Sequence, residues 1–397
     1  MVGKALFKLI GASAFGQIVG LALSPLITKL YGPLILGTYG QYLSYVAIAA
    51  TIIGGRFDLA LIETKRSSTK IGLLQLSITI SCAFLLISLI FIAASNFESV
   101  FFFIPILSFL TNLVVLYNTY LNSEEKYGQM AINKVVQAIF PNMIFLLAFF
   151  FESLVSSVFL LLGYLITLVY IGYPLMLVDL WTKGLAKIRY YKLLLFRYFR
   201  YPLYLLPSTL LSELTGNLPI LMVTIYFDFK LAGFLFLANK IISIPSVFIA
   251  NSISEVYREA ASSRFNIYGE CSTIFMHYIK RLIILSLLSL FALLTSIDYI
   301  VEYVYGIEWV YTASILKVFS IMMAGQIISS PLSYTIVFKN YHKFDLILQI
   351  SRLVFASICL YLFWSSGQFL EGLLAYCVVY LFYYLSHTCL QYKSSLG

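Results

Sequence analysis

Charge is the scarcest commodity in this 397-residue chain: only 11% of it is Asp, Glu, Lys or Arg. A soluble domain of ordinary composition carries about 25%, so a water-soluble globular protein is excluded. Cysteine is scarce and scattered as well. Cys82, Cys271, Cys359, Cys377 and Cys389 are odd in number and contain no C-x-x-C pair, which argues against a disulfide framework and against a thiolate metal site. The three histidines, His277, His342 and His387, lie far apart near the ends of apolar runs and read as interfacial residues. Also missing are a phosphate-binding Walker loop, an H-E-x-x-H pair, a G-x-S-x-G elbow and a loop with paired carboxylates. These absences leave no sign of an ATP-driven pump, a zinc hydrolase or an acyl-transfer enzyme, and no cofactor is called for.

What is abundant is apolar surface. The chain is 61% hydrophobic, with 33 Phe and 31 Tyr. Its apolar runs predict twelve membrane helices, near residues 6–28, 38–55, 71–94, 101–121, 134–151, 154–178, 202–226, 231–251, 282–304, 312–337, 344–364 and 370–390. The basic Met1–Lys8 start leads into an apolar run of more than twenty residues without an A-x-A site, which reads as a first spanning helix rather than a signal peptide. The fold class expected is therefore an all-α polytopic membrane protein.

The net charge of +9 is a topological signal. With the N-terminus inside, 22 of the 26 Lys and Arg fall in cytoplasmic segments, and only Lys29, Lys230, Lys240 and Lys317 fall elsewhere. The positive-inside rule then puts both termini in the cytoplasm and removes any reason to invoke nucleic acid. The outer connections, among them Lys29–Gly37 and Phe227–Lys230, are all short. The longest inner ones are 179–201 and Ser254–Arg281. The first of these mixes aromatics with six cations, in the manner of an amphipathic segment lying on anionic membrane lipid. It also falls at the midpoint, giving an expected division into an N-terminal six-helix bundle (1–178), a basic cytoplasmic linker (179–201) and a C-terminal six-helix bundle (202–397).

The two halves repeat. A slide of 196 residues lays Ser13 on Thr209, Gln17 on Glu213, Gly20 on Gly216, Thr28 on Thr224 and Gly37 on Gly233. An even number of helices per half makes the repeat parallel. In the first helix Ser13, Gln17, Gly20, Ser24 and Thr28 share one small, polar face. For its glycines and serines, helix–helix packing is the expected role, Gly16-x-x-x-Gly20 being a packing motif. For Gln17 and for Glu213 with Asn217 on the repeat-related helix, a hydrated cavity is expected.

Two further constellations carry charge. Arg56-Phe57-Asp58 closes the second helix: the arginine is either an interfacial residue paired with its aspartate or a bidentate phosphate ligand, and both readings stay open. Glu213 stands about 16 Å and Lys240 about 14 Å along their predicted helices, at ~1.5 Å per residue. That depth is near the bilayer midplane, where a charge costs at least ~2.5–3.5 kcal/mol on insertion scales. Lys240 is either half of a structural ion pair with a buried carboxylate such as Glu213 or a cationic group facing a polar pathway.

The stretch from Pro202 to Arg258 resembles the seventh and eighth helices of the bacterial polysaccharide-repeat-unit flippases of Wzx type, in the MOP exporter superfamily. The matching pieces are Tyr201-Pro-Leu-Tyr with Pro207, Leu218-Pro219, Gly233, the mid-helix Lys240 before Ile244-Pro245, and the exit Glu255-Val-Tyr-Arg258. The family also often has an arginine followed two residues on by an acid at the end of its second helix, as Arg56 and Asp58 stand here. The resemblance implies a MATE-like pair of bundles working by alternating access. It implies as substrate a polyprenyl-diphosphate carrying a sugar repeat unit, and a polysaccharide polymerase of the same pathway as a partner. On this reading Lys240, Arg56, Glu213, Asn217, Gln17 and Asp58 line the substrate's route. Two other classes are weighed against it. An ion-coupled multidrug exporter would want carboxylates rather than Lys240 and Arg56. A membrane polymerase would carry a large outer loop, and none is predicted.

Overall fold

The computed structural model describes residues 2–64, 66–95, 97–151, 155–177, 188–339 and 341–396. Among these residues every regular element is helical. Nine segments are long and apolar enough to cross a membrane, which makes this a multi-pass membrane protein. The first of the nine, Ala14–Ile53, holds both of the first two predicted helices. Outside the nine are helices α8 (Leu206–Tyr226) and α9 (Phe229–Tyr268). Ser208, Thr209, Ser212, Glu213 and Asn217 dilute the apolar run of α8. The outward faces are apolar, as lipid as solvent requires: α10 (Ser272–Ile300) exposes Ile283, Ile284, Leu287, Leu288 and Phe291.

Two predicted loops are instead helical. The connection expected at Lys29–Gly37 shrinks to one non-helical residue, Gly32 (φ 64°, ψ 171°), inside the long element α1 (Val2–Ile53). Glycine takes this left-handed φ without steric cost, and Pro33 behind it suits the first turn of the resuming helix. The inner connection Ser254–Arg281 is likewise mostly helix. Helix α9 runs on to Tyr268, Gly269 turns the chain with φ 73° and donates to the Phe265 carbonyl at 2.8 Å, and α10 starts at Ser272. An apolar window marks where a helix leaves the membrane, and the backbone ladder need not stop there. At its other end α9 starts as expected from the short Phe227–Lys230 turn, where Asp228 Oδ1 accepts the Leu231 N–H at 2.7 Å.

The chain divides into two compact units: residues 1–31 with 38–214, and residues 32–37 with 215–397. In the first unit α4 (Phe103–Ser123) is the central helix, packed on α2 (Ala60–Glu63), α3 (Ser67–Ala94), α5 (Tyr127–Phe145) and α6 (Ser157–Leu177). Gly16 and Gly20 bring α1 onto α5, where a Cβ at either would meet Ala138 at 3.1–3.2 Å. The Ser24 and Thr28 hydroxyls donate to carbonyls three residues back in their own helix. The small residues of this face thus pack. Of the midpoint segment, 178–187 lies outside the described residues. The helix that follows, α7 (Ile188–Arg197), lies on α3: Tyr190 and Leu194 close over Gly72, and the Tyr191 hydroxyl donates to Gln75 at 3.2 Å.

In the second unit α11 (Tyr311–Ser329) is central, with more than half of its apolar span buried against α9, α10 and α14 (Phe369–Ser395). Pro331 ends α11 in a tight turn before the short α12 (Thr335–Phe338) and α13 (His342–Ser365). In the last turn of α14 Ser394 and Ser395 are buried, while Tyr392 and Lys393 face outward. Ser394 Oγ donates to the Thr335 carbonyl at 2.7 Å, and the Ser395 carbonyl accepts the Cys271 N–H at 2.8 Å.

Candidate functional site

The charged residues singled out in the sequence fall at separate places, each built locally. In the first unit, α1 ends at Ile53 in three residues, Gly54, Gly55 and Arg56, the last two left-handed (φ 60° and 57°). Glycine makes the first of these free; at Arg56 the same conformation costs of order 1–3 kcal/mol and has to be held by its surroundings. It is held by α3 and α4. Ser77 and Ser81 of α3 donate to the released carbonyls of Gly54 and Ile53 at 3.2 and 3.3 Å, and Asn112 of α4 donates to the Ser81 hydroxyl at 2.8 Å. A Cβ at Gly54 would run into the Asn112 amide. Phe57, buried among Leu61, Leu73 and Leu113, pins the other side of the turn.

The turn sets Arg56 Nη1 3.8 Å from Asp58 Oδ2, with the aspartate buried and the arginine half-buried. Burial raises the Asp58 carboxyl above its ordinary value, while the Arg56 guanidinium and backbone N–H groups pull it back down. Among the described residues Arg56 Nε is buried with no hydrogen-bond partner. The guanidinium therefore keeps donor capacity for an oxyanion beyond what Asp58 takes.

Gln17 is half-buried on α1. On α8 Glu213 is exposed and Asn217 half-buried. In the second unit Lys240 sits on α9, half-buried, with Leu237, Ala238 and Ile242 buried on either side of it along the helix. Ser243 Oγ donates to its carbonyl at 3.1 Å. Among the described residues the Lys240 ammonium has no hydrogen-bond or ion-pair partner. A half-buried ammonium has the chemistry to take an anion or a hydrated group.

A third charged group was passed over in the sequence. Arg352 was counted with the cytoplasmic cations of the Lys339–Arg352 stretch, but in the structure it is buried in the second unit. Its guanidinium carbon stands 4.8 and 4.2 Å from the ring centroids of Tyr380 and Tyr383 on α14. Beside it, His387 Nε2 is 3.4 Å from Asp345 Oδ1, and His387 Nδ1 is 2.9 Å from the Ser329 hydroxyl and 2.8 Å from the Gln391 amide. The Tyr383 ring stacks on the imidazole with centroids 5.5 Å apart. His387 is thus a core residue, contrary to its interfacial reading. One signal was legible: Arg352 lies eight residues inside the predicted 344–364 span and seven after Asp345, on one face of a helix. Lys70, grouped with the same cations, is also buried; it bonds the Ser123 carbonyl and Glu124 Oε1, both at 2.7 Å.

No protein-family model matches the chain, and no curated protein matches it in sequence. Solved structures do match the fold. An inward-facing multidrug resistance MATE transporter of the MOP superfamily is similar with TM-score 0.66 at 11% identity, over 97% of this chain and 93% of the other. The lipid II flippase MurJ in an inward closed conformation also gives 0.66, at 14% identity, over 97% and 86%. A MOP superfamily transporter from Pyrococcus furiosus, described by the reverse polarity of its binding pocket, gives 0.60 at 15% identity, over 98% and 95%. The fold is that of the MOP transporters, MATE- and MurJ-like.

Proposed function

We propose that this protein is a flippase that moves polyprenyl-diphosphate-linked oligosaccharide repeat units from the cytoplasmic to the outer face of a bacterial cytoplasmic membrane, for O-antigen, capsule or exopolysaccharide assembly. The observation that carries this reading is the Lys240 ammonium. It is half-buried in a helix of a fold shared with a lipid II flippase, and no described residue pairs with it. A saccharide head group drawn through hydrocarbon would leave many hydroxyls without partners, at several kcal/mol each. A protein route must supply hydrogen bonds for the sugar and a cation for the diphosphate while the polyprenyl chain stays in lipid. Lys240 supplies the cation. Arg56 offers a fork to a phosphate or sugar acid, with Asp58 fixing its direction. Gln17, Glu213 and Asn217 offer hydrogen bonds to hydroxyls. Outward movement of two negative charges is driven by the membrane potential, at ~2.3 kcal/mol per charge per 100 mV, so ion coupling is not obligatory.

The same fold serves multidrug exporters of the MATE type, and an ion-coupled exporter is the competing reading. Lys240 and Arg56 favour anionic cargo over the cationic compounds such a transporter would take. The exposed face of α7, with Lys192, Leu193, Phe196 and Arg197, suits contact with anionic lipid, and a polysaccharide polymerase of the same pathway would receive the product.

The deciding experiment is purified protein in proteoliposomes with a fluorescent polyprenyl-diphosphate oligosaccharide, followed by quenching of the outer leaflet. Flipping above that of empty vesicles is expected. Absence of flipping, with uptake of a cationic dye under an imposed ion gradient, would establish the exporter instead. Reporter fusions at Ser95 and Arg189 should report opposite sides of the membrane if both termini are cytoplasmic; the same side for both would overturn that topology.

A further inference from the structure

Between α13 and α14 the second unit has a cavity of about 380 Å³ that the reading above does not use. Its walls are mostly apolar, among them Phe355, Val379 and Phe382, and Ser351 and Ser386 add two hydroxyls. Among the described residues Arg352 is the one charged group in its lining. The rim faces outward: Phe355 and Phe382 are largely exposed, and Val354, Ile358 and Leu385 continue that exposed apolar face along the two helices. In a membrane protein such a face meets acyl or isoprenoid chains.

Position along the helix narrows the occupant. Arg352 is ten residues past His342, so about 15 Å from that end of α13 at ~1.5 Å per residue, with thirteen residues still to go to Ser365. A guanidinium there lies well below the level at which resting phospholipid head groups sit. It is also fixed in place, because Tyr380 and Tyr383 bracket it at 4.8 and 4.2 Å and Tyr383 in turn stacks on His387. On the same helix face Asp345 Oδ2 accepts the Gln349 amide at 2.8 Å. A rigid cation at the floor of a lipid-facing cleft selects a ligand with an anionic end, a long apolar chain and a reason to leave the head-group level.

We propose that the α13–α14 cleft binds the phosphate end of a polyprenyl phosphate, with Arg352 on the phosphate and the isoprenoid chain along the exposed face of Phe355 and Phe382. The inference rests on the flippase reading for its choice of lipid. It adds a second phosphate position to that reading, separate from Lys240, at which the carrier lipid waits or is held while its sugar is elsewhere. Ser351 and Ser386 donate hydrogen bonds to the phosphate oxygens that the fork leaves open.

The test uses the full-length protein in nanodiscs of zwitterionic lipid, titrated with undecaprenyl phosphate and, in parallel, with the uncharged polyprenol and with inorganic phosphate. Wild type should bind undecaprenyl phosphate at least tenfold more tightly than the polyprenol, and inorganic phosphate not measurably. Arg352→Gln should lose that preference and Arg352→Lys should keep part of it, since the charge survives without the fork. Ser386→Trp fills the cleft from its exposed rim and keeps the Arg352 side chain. It should weaken binding tenfold or more, which guards against Arg352→Gln simply unfolding the protein. Unchanged undecaprenyl phosphate affinity in a folded Arg352→Gln or Ser386→Trp protein would overturn the cleft assignment. So would equal binding of polyprenol and its phosphate. A wild-type protein that flips the saccharide lipid while both variants bind normally loses the cleft and keeps the function. Arg352-dependent binding without any flipping keeps the cleft and loses the function.

Discussion

Gly37 and Gly233 lie at one main-chain crossing, where backbone takes the place of a side chain at each. A Cβ on Gly37 would land on the Phe229 carbonyl oxygen and 2.7 Å from the Gly233 nitrogen, and a Cβ on Gly233 would land on the Pro33 carbonyl, with its carbon 2.7 Å away. The restart of α1 after Gly32 and the first turns of α9 are therefore in direct main-chain contact within the second unit. The two glycines are also the pair that the 196-residue offset superimposes. Alanine at either position should destabilise the protein by at least the ~1–3 kcal/mol usual for overpacking. Neither side can yield, since backbone rather than a rotatable side chain stands in the way. Gly216→Ala is the control, because nothing lies within 4 Å of a Cβ there. It should be neutral, or stabilising by ~0.5–1 kcal/mol from helix propensity alone. Thermal unfolding in detergent separates the three; a Gly233→Ala protein as stable as Gly216→Ala would refute the contact.

Asp58 gives a pH signature. Its folded carboxyl titrates above the unfolded one because burial outweighs the Arg56 charge. The folded chain then holds the proton more tightly, so the stability this group contributes is complete below the unfolded value of about 4. It is lost as pH rises through the folded value. Asp58→Asn should remove that decline, leaving a protein at least as stable as wild type at pH 7.5. Arg56→Gln should steepen the decline, on the order of 1 kcal/mol, by taking away the compensating charge. Melting curves from pH 4 to 8 check both. A wild-type profile unchanged by Asp58→Asn would show that another group sets it.

Lys240 separates transport from folding. As the diphosphate's partner, Lys240→Ala should insert at normal levels and fail to transport, and Lys240→Arg should retain part of the activity. A merely structural lysine forecasts otherwise: Lys240→Met combined with Glu213→Gln should restore both abundance and flipping. Proteoliposome transport by that double variant at the wild-type rate would remove Lys240 from the mechanism.

Thiol labelling reports on the end of α14. Cys271 is wholly buried under the Ser395 carbonyl, and burial pushes its thiol up to about 11, helped by Glu270 and opposed by Arg264. The attacking thiolate is scarce and shielded. In a protein whose other cysteines are replaced, Cys271 should react with maleimide at least tenfold more slowly than Cys389 on the exposed side of α14 measured the same way. Equal rates would mean that the α14 end does not dock as described.

Apolar run length is a property of the sequence, and the helices that face lipid were legible for that reason. The short turn before α9 was legible because Asp228 caps it. The Gly16 and Gly20 packing face was legible because small residues at helical spacing have few other uses in a membrane. What stayed hidden depends on register and continuity. Summing charges by segment groups Lys70 and Arg352 with the other cytoplasmic cations and says nothing of their burial. Which way each points is decided by the carbonyl of Ser123 in one case and by two tyrosines on a helix thirty residues later in the other. The extension of α9 to Tyr268 was hidden for a related reason: hydropathy falls at the membrane edge, whereas the hydrogen-bond ladder does not. Among the site candidates, Arg56-Phe57-Asp58 was legible as the end of the second helix, but the serines of α3 that hold the turn are indistinguishable in sequence from any others.

The bond from the Cys271 amide to the Ser395 carbonyl, and that from Ser394 to Thr335, also set a timetable. Domains are assembled from the N-terminal side as the chain is synthesised. The α9–α10 turn and the core around Tyr257, Cys271 and Phe275 are made early in the second unit, yet their lid is made last. Until α14 has been translated and inserted, that end of the unit stands uncovered. A ribosome that stalls between α10 and α14 would therefore leave a nascent chain with every earlier helix in the membrane and an uncovered apolar floor, the kind of surface that quality-control proteases and chaperones read.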